Sequence, residues 1–144
     1  MSEHTHACST ILIKCIDFRM QTETRRFLHE NNLAGDCDVF SLAGASMEML
    51  STEPAVAALC LKQIQISHDL HNAKQVVLIH HSDCGAYKGA YNFTSPDEEK
   101  EKQIADMRKS EEIIKQSFPD MTVKKVWAQM LDPEGHKVDF QIVD

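Results

Sequence analysis

Short apolar runs alternate with longer helix-like stretches along this chain, and that alternation predicts its elements before any single residue is considered. Thr10–Asp17 is an isoleucine-rich run that reads as a first strand. Met20–Asn32 follows with helix formers, and Gly35 supplies a C-terminal stop. Asp38–Leu42 reads as a second strand leading into the turn-like Ala43-Gly44-Ala45-Ser46. Pro54–His71 patterns as a long helix, with Thr52 a possible cap and Pro54 in the first turn. Its first half, Ala55 to Leu61, is apolar nearly all round, which predicts deep packing. Gln75–His81 is a third strand whose four consecutive apolar residues suit burial on both faces. Ser95-Pro96-Asp97-Glu98 opens a further helix to about Ser117, with Ile104, Met107, Ile114 and Phe118 as a narrow apolar stripe. The charged run Asp97–Lys102 reads as that helix's solvated face. Finally, Val123–Met130 and Lys137–Val143 flank Asp132-Pro133-Glu134-Gly135, a hairpin turn.

This order predicts an α/β fold: a mostly parallel sheet of order 2-1-3-4-5, its last strand antiparallel, covered by helices on both faces. One domain over residues 10–144, behind a flexible tail of residues 1–9, accounts for the length of 144. Composition narrows the partners. A formal net charge of −7 gives no basic footprint for nucleic acid or anionic lipid. The apolar runs are too short to span a bilayer, and the first carries Lys14. Five cysteines without paired framework spacing suit a reduced protein, so a cytoplasmic location is expected.

Three residues then carry the chemistry. Cys15 follows the first apolar run, while His81 and Cys84 follow the third in His81-Ser82-Asp83-Cys84-Gly85. Two thiolates and one imidazole are a recurrent catalytic zinc set, because three protein ligands leave the fourth tetrahedral position open for water. In an open α/β sheet of this order, strands one and three are neighbours flanking the crevice where functional groups gather. Core packing is the plainer reading of a free cysteine. Against it stand the position of each cysteine just past a strand and the histidine three residues before Cys84. His80 competes with His81; the alternation along the strand favours His81 as ligand and leaves His80 to support the ligands or to fill the core. Asp17 and Arg19 alternate along extended chain, so their side chains can point to one side and pair. Cys37 and Cys60 read as structural, and His29, His68, His71 and His136 as surface or helix-face groups. The apolar Met47–Leu50 segment reads as core or partner surface.

Cys15-x-Asp17-x-Arg19 followed by His81-x-x-Cys84-Gly85 resembles the paired signature of the β-class carbonic anhydrases. Gly35-Asp36, Phe40–Ser46, the long helix before strand three and the terminal Val126–Val143 hairpin extend the resemblance over most of the chain. Two departures mark a divergent, short member. Ser41-Leu42 stands where the family usually carries Arg-Asn, and few residues precede strand one where the family usually carries a helical arm. The resemblance implies Zn2+ on Cys15, His81 and Cys84, and reversible hydration of carbon dioxide to bicarbonate by a zinc-bound hydroxide. It also implies that Asp17 accepts a hydrogen bond from the zinc-bound water or closes onto the metal, that Arg19 orients Asp17, and that the protein forms a homodimer or higher homo-oligomer. The alternatives are a related zinc hydrolase acting on carbon disulfide or carbonyl sulfide, and a weakly active zinc-bearing protein that binds bicarbonate or a partner.

Overall fold

The computed structural model describes residues 6–144; the first five residues of the expected tail lie outside that range. The elements are β1 (Thr10–Lys14), α1 (Gln21–Glu30), β2 (Cys37–Ser41), α2 (Pro54–His71), β3 (Gln75–His81), α3 (Gly85–Ala90), α4 (Pro96–Ser117), β4 (Thr122–Met130) and β5 (Val138–Val143). Two 3-10 turns, Phe18–Met20 and Ala45–Leu50, supplement them. The strands form one sheet of order β2-β1-β3-β4-β5, parallel throughout except for the final β4–β5 pair.

Side-chain alternation along β1 and β3 divides the apolar residues between two cores. On one face Ile11, Ile13, Val76 and Leu78 pack with Cys60 and Ile64 of α2 and Met107 and Ile114 of α4. On the other, Leu12, Val77, Ile79, Val126 and Ala128 pack with Met20, Phe27 of α1 and Val138. Burying β3 on both sides explains why its sequence lacks the polar alternation of an exposed strand. Ser95 caps α4 by accepting the Glu98 N–H at 3.1 Å, and Pro96 fills the first turn, where a missing N–H costs nothing.

Several local expectations change. β1 stops at Lys14, so Cys15 and Asp17 lie in the chain leaving the strand. The residue before α2 is Glu53, which makes no side-chain cap; Thr52 does not serve. The first half of α2 is not deeply packed: Cys60 is buried, whereas Ala55, Ala58 and Leu59 are exposed. The helix lies against the sheet along the narrow line Cys60, Ile64, Ser67 and turns apolar residues outward, Leu70 among them. Met49 of the second 3-10 turn joins the core, with Met47 and Leu50 half-buried. Among the described residues, no helix is long and apolar enough to cross a membrane.

Candidate metal centre

Parallel pairing of β1 with β3 in the register Ile13↔Leu78 brings their carboxyl ends side by side. Cys15 therefore meets His81 and Cys84 although 66 or more residues of chain separate them. One donor atom from each of the three lies within 4.8 Å of the others, and all three residues are buried. The two sulfurs are 4.0 Å apart. Two Zn–S bonds at the tetrahedral angle would set them about 3.8 Å apart.

The histidine supplies the sharpest observation. His81 Nδ1 lies 2.7 Å from the Ser82 carbonyl oxygen and donates its proton there, which leaves the lone pair on Nε2. That Nε2 is buried and has no hydrogen-bond partner. An orphaned acceptor in a protein interior is costly. A metal-ligating histidine commonly donates its other ring N–H to a carbonyl in this way. The donor set and its geometry thus fit a zinc ion.

Local backbone fixes the thiols. Cys84 is the N-cap of α3, and the N–H groups of Tyr87 and Ala86 face its sulfur. Cys15 sits far below the ordinary thiol range because Cys84 donates a hydrogen bond to it. The same hydrogen bond retains the proton on Cys84, whose value is raised. A single negative charge shared by two sulfurs would become two on coordination of a cation.

Asp17 and Arg19 do pair, but not through extended alternation. Asp17 caps the 3-10 turn at Phe18–Met20, its Oδ1 accepting the Arg19 N–H at 2.9 Å. The turn swings the guanidinium back onto the carboxylate: Nε donates to Oδ1 at 3.1 Å and Nη2 to Oδ2 at 2.7 Å. Arg19 holds the Asp17 carboxyl below the usual carboxylate range. Asp17 Oδ2 lies 3.8 Å from His81 Nε2, beyond hydrogen-bond length but beside the thiol–imidazole cluster. Arg19 also donates to Asp83 Oδ2 at 3.0 Å, to the Asp83 carbonyl at 2.9 Å and to the Pro133 carbonyl at 3.2 Å. Asp83, at φ +56°, thus joins a tight turn to the Arg19 guanidinium.

Sequence reasoning missed the support behind these groups. Glu99, assigned to a solvated face, is only 5% exposed. Its Oε2 accepts the Cys84 N–H at 2.9 Å and the Gln103 Nε2 at 2.8 Å, while Oε1 accepts the Asp83 N–H at 3.3 Å. Gln103 also donates to the His81 carbonyl at 2.9 Å, and its Oε1 lies 3.0 Å from His80 Nδ1. His80 Nε2 accepts from Ser46 Oγ at 2.7 Å, and Ser110 Oγ donates to Ser46 Oγ at 3.0 Å. Burial pushes His80 down to about 4, so it stays neutral within this network. The signal was present as a second stripe on α4: Glu99, Gln103, Asp106 and Ser110 recur at helical spacing and are all buried.

A cleft of about 660 Å³ opens over the cluster, lined by Cys15, Ile16, Asp17, Ala43 and Ala86, with Phe18 and Lys88 also contributing. A side chain at Gly85 would meet nothing within 4 Å, so the glycine keeps this space open beside Cys84.

Comparison with known proteins is consistent with this arrangement. A family model described as “Putative carbonic anhydrase” matches residues 5–139. An “Uncharacterized protein” of Rickettsia bellii (strain RML369-C) is 34% identical over 119 residues, covering 80% of this chain and 73% of the relative. Among solved structures, a tetrameric β-carbonic anhydrase of Sordaria macrospora aligns with a TM-score of 0.62 at 14% identity, covering 96% of this chain and 84% of its own. An apo carbon disulfide hydrolase aligns with a TM-score of 0.54 at 13% identity, covering 86% and 75%. At such identities the solved structures establish a shared fold.

Proposed function

Because the chain belongs to the “Putative carbonic anhydrase” family, we propose that it catalyses the reversible hydration of carbon dioxide to bicarbonate. The observation that carries this reading is the meeting of Cys15 Sγ, Cys84 Sγ and the orphaned His81 Nε2 beneath a cleft edged by Asp17. Cys15, His81 and Cys84 would hold a zinc ion, which when bound makes a water molecule acidic enough to attack near neutral pH. Asp17, kept ionised by Arg19, accepts a hydrogen bond from the attacking water and aims its lone pair into the cleft. Ile16, Ala43 and Ala86 offer an apolar wall against which a small linear substrate can lie. Glu99 keeps the Asp83–Cys84 backbone in place behind the thiol. Two thiolates cancel the formal charge of a divalent ion, so turnover should climb as pH rises above neutral.

Metal analysis with a stopped-flow hydration assay tests this. Wild type should carry about one zinc at this centre, Cys84→Ser should lose it, and Asp17→Asn should keep it while losing roughly 100-fold in turnover. Zinc-replete protein inactive toward carbon dioxide at every pH would overturn the reading. Rapid hydrolysis of carbon disulfide by that same protein would instead favour the activity of its fold-sharing hydrolase neighbour. Silence on both substrates would leave bicarbonate or partner binding. We further propose a homodimer or larger homo-oligomer. Its contact would lie at the cleft mouth, where Ile16 and Phe18 are 59% and 79% exposed, and not at Met49, which is buried.

A further inference from the structure

A second set of metal-donor side chains converges at the opposite end of the sheet. Cys8 precedes β1, Asp38 lies near the start of β2, and His71 ends α2 just before β3. The parallel strands carry the Cys15 cluster at their carboxyl ends, so this set stands at their amino ends. A sulfur, a carboxylate oxygen and an imidazole nitrogen from these three residues lie within 4.8 Å of one another, all half-buried. We propose that Cys8, Asp38 and His71 form a second binding site, selective for a zinc-type divalent transition-metal ion.

The construction is specific. The backbone N–H of Cys8 donates to the His71 carbonyl at 2.9 Å, which fastens the thiol beside the imidazole. Asp38 Oδ2 is the point of convergence: His71 Nδ1 lies 2.6 Å from it and the Cys8 sulfur 3.6 Å. Ser67, buried on the inner line of α2, donates its hydroxyl to the same oxygen at 2.7 Å. This is how an outer hydrogen bond orients a ligating carboxylate. The His6 ring lies 4.5 Å from the His71 ring, centroid to centroid, which places a further imidazole beside the set. Mixed sulfur, nitrogen and oxygen donors suit zinc and its neighbours and disfavour the hard ions magnesium and calcium.

Loading the site replaces protons with a cation. The Cys8 thiol would release its proton to solvent, and any proton on His71 Nδ1 would pass to Nε2 or to solvent, freeing the Nδ1 lone pair. An ion would replace the Asp38–His71 contact, those two donor atoms parting from 2.6 Å to about 3.3 Å, while Ser67 could keep its bond to Asp38. The result is a clasp joining the N-terminal segment, an edge strand and the end of α2.

Co2+ is the probe, because thiolate coordination gives a charge-transfer band that imidazole or carboxylate binding alone does not. Metal-stripped wild type should take up two equivalents with thiolate character. Cys8→Ser and His71→Gln should each remove one equivalent, leaving the other and the native circular dichroism spectrum in place. Cys84→Ser should remove the other. Uptake of a single equivalent, abolished by Cys84→Ser and untouched by Cys8→Ser, would overturn the second site alone. A single equivalent with the reverse dependence would uphold it and sink the Cys15–His81–Cys84 assignment. Should one variant fail to fold, the wild-type stoichiometry and the remaining variant decide. Two equivalents that both survive Cys8→Ser or His71→Gln also overturn the proposal.

Discussion

The Asp17 carboxylate is held by one residue three times over, through the backbone N–H, Nε and Nη2 of Arg19. Such a bidentate clasp resists competition from solvent far better than a single surface pair. His68 shows the weaker kind and gives a pH-dependent prediction. Its Nδ1 lies 2.7 Å from Asp69 Oδ1 and its Nε2 2.8 Å from Asp120 Oδ2, so both nitrogens donate when the ring is charged. Asp69 first, then Asp120, raises its pKa above 6.5. The stabilisation is therefore complete below pH 6.5, the unfolded value, and fades as pH climbs through the higher folded value. Denaturant midpoints of wild type and His68→Gln should differ at about pH 5.5 and converge by about pH 9. A gap that widened with pH would contradict the assignment.

At the scale of elements, the β4–β5 hairpin supports the site from below. Asp132 accepts the N–H groups of Glu134, His136 and Lys137, which curls the turn. Gly135 at φ +75° then lies against Arg19: a Cβ there would come within 2.5 Å of the Arg19 carbonyl oxygen. Gly135→Ala should cost about 1–3 kcal/mol through left-handed strain and contact. On the proposed function it should also lower hydration of carbon dioxide while leaving any bound metal in place, because Arg19 and hence Asp17 must shift. An unchanged denaturation midpoint would refute that. None of this was legible in the turn sequence, which specifies a hairpin but not what it touches. The sheet was legible from the alternation of strands and helices and the closing hairpin, and the fully apolar run of β3 marked a strand covered on both faces. So were Cys15, His81 and Cys84 as a candidate set, since all three lie at or just past the carboxyl end of an apolar run. The burial of α2 was misread, because runs of alanine and leucine look identical whether the helix is sunk in a core or laid along it. Glu99 and Gln103 were missed because their stripe on α4, at helical spacing with Asp106 and Ser110, is polar and so reads as solvated until its partners are known.

For the whole molecule, association is the property most open to measurement. Sedimentation should give a multiple of the chain mass at micromolar concentration, and Phe18→Asp should drive it toward the monomer by placing charge in an apolar contact. A fully active monomer at high dilution would overturn the proposed interface. The long chain separation within the Cys15–His81–Cys84 cluster also sets a timetable. His81 is added 66 residues after Cys15, which at typical synthesis rates is a delay of about 3–13 s. During that interval the first thiol has been made while its imidazole partner does not yet exist. Assembly of the cluster consequently waits on the docking of β3, and until then the nascent chain carries Cys8, Cys15, Cys37 and Cys60 as thiols open to oxidation or to scavenged metal.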